Sequence, residues 1–146
     1  TGRLDGVVRE ACRAAAREVD DGDWAGRMRA GLAALLAELA RDPARATVLV
    51  QSFPAIGPRA QARFQAFIES FAPLLEGGRR AAESDAELPY EVEALAVGAA
   101  EAIVFEEIVA GRAAGLNGLL PAIMFSLLVP FIGPARAGAE MQKSQP

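Results

Sequence analysis

Between Leu119 and Ile132 the chain reads LLPAIMFSLLVPFI, with Ser126 its one polar residue. No other stretch constrains the fold as tightly, because so much apolar surface must be covered by something. Fourteen residues rising about 1.5 Å each reach about 21 Å as a helix, short of the ~30 Å hydrocarbon core of a bilayer. The segment is therefore expected to be a helix of three turns or slightly more that does not span a membrane. Pro121 suits the first turn of that helix, and Pro130 is expected to bend its far end or to stop it before Gly133 and Pro134.

Spacing then assigns faces. Leu120, Met124, Leu127 and Phe131, flanked by Ile123 and Leu128, recur at alternating four and three, a pattern suited to helix pairing. Leu119, Ala122, Phe125, Val129 and Ile132 form the opposite flank and are expected to pack on the domain's own core. The seam is then left for a second copy of the chain. The preceding helix, from about Pro89 to Gly111, carries Val92, Leu95, Val97, Ile103, Val104, Phe105, Ile108 and Val109 in nearly every direction, so it too needs cover on several sides. Glu101 shares a side with Val97, Phe105 and Ile108, and a carboxylate there needs a partner if that side is buried. The expectation is a homodimer in which the last two helices of each subunit make a four-helix contact. Its interface would hold Glu101, Ile108, Leu120, Ile123, Met124, Leu127, Leu128 and Phe131.

Helical spacing continues upstream. Leu4, Val8, Ala11, Cys12, Ala15 and Val19 make one narrow stripe, with Arg9, Arg13 and Arg17 on a solvated face. In the acidic run at 20–23, Asp23 is expected to cap a helix reaching about Arg41 with Trp24, Met28, Leu32, Leu35, Leu36 and Leu39 on one side. Asp42 and Pro43 repeat the start signal for a shorter helix bearing Val48, Leu49 and Phe53, ended by Pro54, Gly57 and Pro58. Phe64, Phe67, Ile68, Phe71, Leu74 and Leu75 define the next helix, which Pro73 is expected to kink or shorten. EGGRRAAESDAE at 76–87 has almost no bulky apolar residue and suggests an exposed, mobile connection. The last residues, RAGAEMQKSQP, suggest a polar, frayed tail. The outline is an all-α single domain of about six helices: a first helix over 1–20, the main body over 21–134 and a tail over 135–146.

Composition narrows the function. At 146 residues the chain suits one domain with a true core. Alanine dominates the 52% hydrophobic content, and Thr1 and Thr47 are the only threonines, so helix is favoured over strand. Net charge is -4 and the arginines are interspersed with acids, which does not resemble a phosphate-tracking surface. The absence of histidine removes the usual imidazole ligand and near-neutral base. There is no Gly-rich phosphate loop, no G-x-S-x-G turn and no Glu-x-x-His pair, so neither catalysis nor a metal or other cofactor is expected. The lone Cys12 rules out an internal disulfide and, with no signal-like start, suits a cytoplasmic setting.

Four segments in order, DWAGRMRAGLAALLAELARDPARATVL at 23–49, IGPRAQARFQAFIESFAPLL at 56–75, EALAVGAAEAIVFEEIVAGRAAGL at 93–116 and LLPAIMFSLLVPFIGP at 119–134, resemble the C-terminal effector-binding and dimerisation domain of TetR/AcrR-type transcriptional regulators. The resemblance implies an all-helical homodimer whose last two helices meet across the twofold. It also implies a cavity for a small apolar or amphipathic effector among the earlier helices. The helix near Leu4 would be the tail of a connector to an N-terminal helix-turn-helix that this chain does not contain, and DNA would be met only through that head. Cavity candidates are Met28, Leu35, Phe53, Phe64, Phe67, Phe71 and Phe105, since pockets are mostly apolar with few polar anchors. Gln51, Arg63, Gln65 and Glu101 are candidate polar contacts. The rival reading is a helical protein-interaction or membrane-surface module with no transcriptional role. Against its membrane form, the segment from Leu119 to Ile132 lacks the charged face of an interfacial helix.

Overall fold

The structure, a computed structural model, describes residues 4–18, 23–51, 56–75, 77–82 and 88–144. Among these residues the chain is all-helical, with no strand. Its six longer helices are α1 (Leu4–Glu18), α2 (Trp24–Arg41), α3 (Pro43–Gln51), α4 (Pro58–Ser70), α7 (Val92–Val109) and α8 (Leu120–Lys143). Two single turns, α5 (Ala72–Leu75) and α6 (Gly78–Ala81), and a 3₁₀ segment η1 (Ala113–Leu119) lie between them.

The helix boundaries follow local chemistry. The Asp23 carboxylate accepts from the Gly26 amide at 2.9 Å and so caps α2. Asp42 does the same for Arg45 at 3.1 Å, with Pro43 opening α3. Proline 73 lacks the amide that would continue α4. The helix ends at Ser70 and a new turn starts, with the amides of Leu74 and Leu75 both donating to the Phe71 carbonyl. Helix α7 closes on a left-handed Gly111 (φ 83°), with Gly111 N–H donating to Ile108 O (3.1 Å) and Arg112 N–H to Glu107 O (2.8 Å). Arg112 then folds back on Glu107 through two further bonds of 2.7 and 2.8 Å.

Helix α2 sits centrally, packed by α1, α3, α5, η1 and α8, and α7 packs on α3, α4, η1 and α8. Met28, Leu36, Ile108, Leu116, Met124 and Leu128 form the most deeply buried part of the core.

Several expectations are corrected here. The flank expected at a subunit seam is not free: Ile123, Met124, Leu127, Leu128 and Phe131 are buried in the subunit's own core, and Ile108 of α7 joins them. The flank expected to pack on the core does so only in part: Leu119, Phe125, Val129 and Ile132 pack against it and stay partly open, and Ala122 is exposed. Leu120 is half-buried. Both flanks are apolar, and the inner one packs against α2 and α7.

The C-terminal residues are also not a frayed tail. At Gly133 the backbone leaves the helix (φ 80°, ψ 164°), then Pro134 starts a second helical segment that runs to Lys143. That segment buries Ala137 and is tied to α2. Arg29 donates to Ser144 Oγ (3.0 Å) and to the Glu140 carboxylate, and Lys143 donates to Glu140 Oε1 (3.1 Å).

Within the 76–87 segment, residues 77–82 are docked through Gly78, while Arg79 and Arg80 are exposed as expected. Gly78 lies so close to Trp24 and Phe131 that a Cβ there would fall 3.0 Å from both rings. Arg79 grips Glu93 Oε1 at 2.7 Å and Oε2 at 3.1 Å, and also donates to the carbonyls of Leu88 (3.3 Å) and Pro89 (2.8 Å). Residues 76 and 83–87 lie outside the described residues.

Candidate functional site

Where α2 and α7 face one another they enclose a cavity, closed at its ends by Phe71 and Leu75 around α5 and by Ile123 and Leu127 of α8. Met28, Leu32, Leu35, Leu36 and Leu39 supply the α2 wall, a face set by three-and-four spacing. Val97, Ala100, Glu101, Val104 and Phe105 supply the opposite wall from α7. The void is about 40 Å³, inside a cleft of about 570 Å³ when its mouth is counted. A space of 40 Å³ has room for one or a few waters, so any larger occupant must push the walls apart.

Every side chain lining the cavity is apolar except Glu101, among the described residues. One of its carboxylate oxygens, Oε2, is shut off from solvent and has no hydrogen-bond partner among those residues. Burial raises the Glu101 pKa above the ordinary carboxylate value, because a low-dielectric wall disfavours the ionised form. Among the described residues nothing in the cavity lining offsets it.

Of the sequence-predicted cavity residues, Met28, Leu35, Phe71 and Phe105 meet around this void. Phe53 and the side chains of Phe64 and Phe67 lie outside the described residues. The candidate polar contacts divide. Glu101 lines the cavity, whereas Gln51 and Gln65 are exposed, Gln65 donating to Glu69 at 3.2 Å. Arg63 is half-buried and does not line the void. Ile123 and Leu127, assigned by spacing to a subunit interface, are buried cavity walls instead, and Glu101, expected at the same interface, is half-buried and lines the cavity. Spacing does not point to Leu32, Leu36, Leu39, Leu75, Val97, Ala100 and Val104 as lining residues. Leu32, Leu36 and Leu39 had already been placed on the same α2 side as Met28 and Leu35, and that shared stripe was the available signal.

A second feature lies on the outside of α7. Leu95 (71% exposed), Ile103 (45%) and Val109 (72%) stand in solvent beside Ala99 and Ala102. The α8 flank of Phe125, Val129 and Ile132 is only partly covered, so both of the last two long helices keep some apolar surface open.

No family model, curated protein or solved structure matches this chain.

Proposed function

We propose that this chain is the ligand-binding and dimerisation domain of a TetR-like transcriptional regulator. It would take a small apolar or amphipathic effector between α2 and α7 and alter DNA binding by an N-terminal helix-turn-helix. The observation that carries the ligand-binding part is the cavity itself: a void with apolar walls and one carboxylate, in the middle of a helical domain. The regulator part comes from the sequence resemblance. It is consistent with α1 lying along α2, where movement of the α2 wall would reach a connector helix. Ligand would act by binding one of two spacings of the DNA heads more tightly than the other. The setting would be cytoplasmic.

Dimerisation is proposed through the uncovered faces: Leu95, Ile103 and Val109 of α7 with Phe125, Val129 and Ile132 of α8. This keeps the four-helix contact expected from sequence and moves it to the opposite flank of α8. Titration with an apolar fluorophore such as 1-aminoanthracene tests the cavity. Saturable binding that is lost when Ala100→Phe fills the void supports the reading, and no binding by either protein sinks it. Sedimentation velocity tests the dimer.

A membrane-surface module is the second reading, favoured by one observation. The stretch from Ala113 to Lys143 is long and apolar enough, by length and composition alone, to pass for a membrane-crossing helix. Burial of its inner flank in the core opposes that role, as does the break at Gly133. Flotation with vesicles separates the two, since a sensor stays in the dense fraction and a surface binder rises with lipid.

A further inference from the structure

We propose that the preferred occupant of the α2–α7 cavity is an apolar molecule bearing a protonated amine, whose N–H donates to the orphaned Oε2 of Glu101. The inference deepens the ligand-binding reading above and rests on it.

The argument begins with the cost of the present arrangement. A buried polar atom in a folded protein is almost always hydrogen-bonded, and an unpaired one costs free energy without return. Glu101 Oε2 is such an atom: it is covered behind the surface that its residue shares with thirteen apolar lining residues, and a ligand reaches it only when the walls part. Ten of those residues, among them Leu36, Val97, Ile123 and Leu127, are themselves buried, so the surroundings are apolar and fixed by packing. A site made in this way treats three ligand classes differently. A neutral apolar ligand gains the walls but leaves Oε2 as it was. An anion places a second negative charge beside the carboxylate in a low-dielectric space, which repels it. An ammonium gains the walls, supplies the missing donor and restores the ionised carboxylate as half of a pair. Such a charge-assisted bond is stronger where water is excluded than at the surface.

The geometry also says where on the ligand the charge must lie. Glu101 as a whole is half-buried, whereas the facing leucines of α2 are buried. The amine therefore belongs at one end of the molecule, with its hydrocarbon directed toward α2. The void of about 40 Å³ has to widen for this, so a slim alkyl chain is the appropriate probe.

Three ten-carbon probes, decylamine, decanol and decanoate, are titrated calorimetrically into the protein at pH 7.5, and then into Glu101→Gln. Decylamine is expected to bind about tenfold to a hundredfold more tightly than decanol, with decanoate the weakest. In Glu101→Gln the preference for the amine collapses while decanol binding is retained, because glutamine keeps the shape and removes the charge. The acidic net charge of the chain attracts cations everywhere, and the variant controls for that. Equal binding of decylamine and decanol to the native protein overturns the proposal while leaving the ligand-binding reading intact. So does an amine preference that survives in Glu101→Gln. Failure of all three probes to bind overturns both. Circular dichroism of Glu101→Gln establishes that it is folded. If it is not, Glu101→Ala in the same titrations replaces it, with the same loss of amine preference expected.

Discussion

The Trp24 indole stands edge-on to the Phe131 ring, centroids 5.4 Å apart and planes at 80°, joining the first turn of α2 to the far end of the apolar part of α8. The indole N–H donates to the Leu74 carbonyl, so one side chain ties α2, α5 and α8 together. Gly77 and Gly78 are packed against this pair, and a Cβ at Gly77 would lie 2.8 Å from the indole. Trp24→Phe keeps most of the ring contact and loses the bond to Leu74, at an expected cost of about 1 kcal/mol. Gly78→Ala forces two rings to move and is expected to cost about 1–3 kcal/mol. Urea denaturation followed by tryptophan fluorescence reads Gly78→Ala, and far-UV circular dichroism reads Trp24→Phe.

The clasp between Arg29 and Glu140 is partly buried, with side chains 23% and 20% exposed, and is supported by Ser144 and Lys143. Arg29→Ala is expected to destabilise the fold by about 1–2 kcal/mol, more than an exposed ion pair would. In a double-mutant cycle with Glu140→Ala, the two losses should not add, because each removes the same contact. Additive losses would mean that the pair is not coupled.

Glu101 gives stability a recognisable pH dependence. Its folded pKa is raised by burial, so the native state holds its proton more firmly than the unfolded chain does. Stability from this group is fully present below the ordinary carboxylate pKa and is lost as pH rises through the raised one. Glu93 works in the opposite direction. The hydrogen bond from Arg79 lowers its pKa, and its contribution is lost as pH falls. Thermal melts of the native chain alone therefore mix the two. The difference between native and Glu101→Gln isolates Glu101: the variant should gain on the native protein as pH rises from the acid range toward neutral. A constant difference across that range would contradict the burial of this carboxylate.

Core and surface substitutions on the last two long helices should separate folding from assembly. Met124 is fully buried, and Met124→Ala is expected to cost about 2–5 kcal/mol through loss of burial and the cavity left behind. Ile103 and Val109 are exposed on α7, and charging them with Ile103→Glu or Val109→Glu should leave the melting temperature of the subunit nearly unchanged. If the uncovered faces pair, the same two changes convert dimer to monomer in sedimentation. Dimer that persists in both variants would place the contact elsewhere.

Much of the fold was legible because its signals are local. Asp23, Asp42 with Pro43, and Gly111 each act within a few residues of themselves, and the helices they bound follow. The orientation of α8 was not legible. A helix apolar on both flanks announces that it is a helix but not which side faces inward, and only the volume left between α2 and α7 settles that. The segment after Gly133 was misjudged for a related reason. Among the described residues it buries only small ones, Ala137 and Ser144, and is held by Arg29 from more than a hundred positions away, which no local pattern displays. For the cavity, the α2 stripe and the awkward position of Glu101 were visible in spacing. The contribution of α8 was not, because its residues had been assigned outward.

Gly133 has a backbone conformation that is essentially reserved for glycine, and it interrupts the ladder of amide hydrogen bonds between Leu120 and Lys143. Two shorter cooperative units result where one long one would otherwise exist. The outer unit, held mainly by Ala137 and the Arg29 clasp, can open and re-form while the inner unit stays closed over the cavity. Deuterium uptake should accordingly divide at this glycine, fast on its C-terminal side and slow from Ile123 to Phe131.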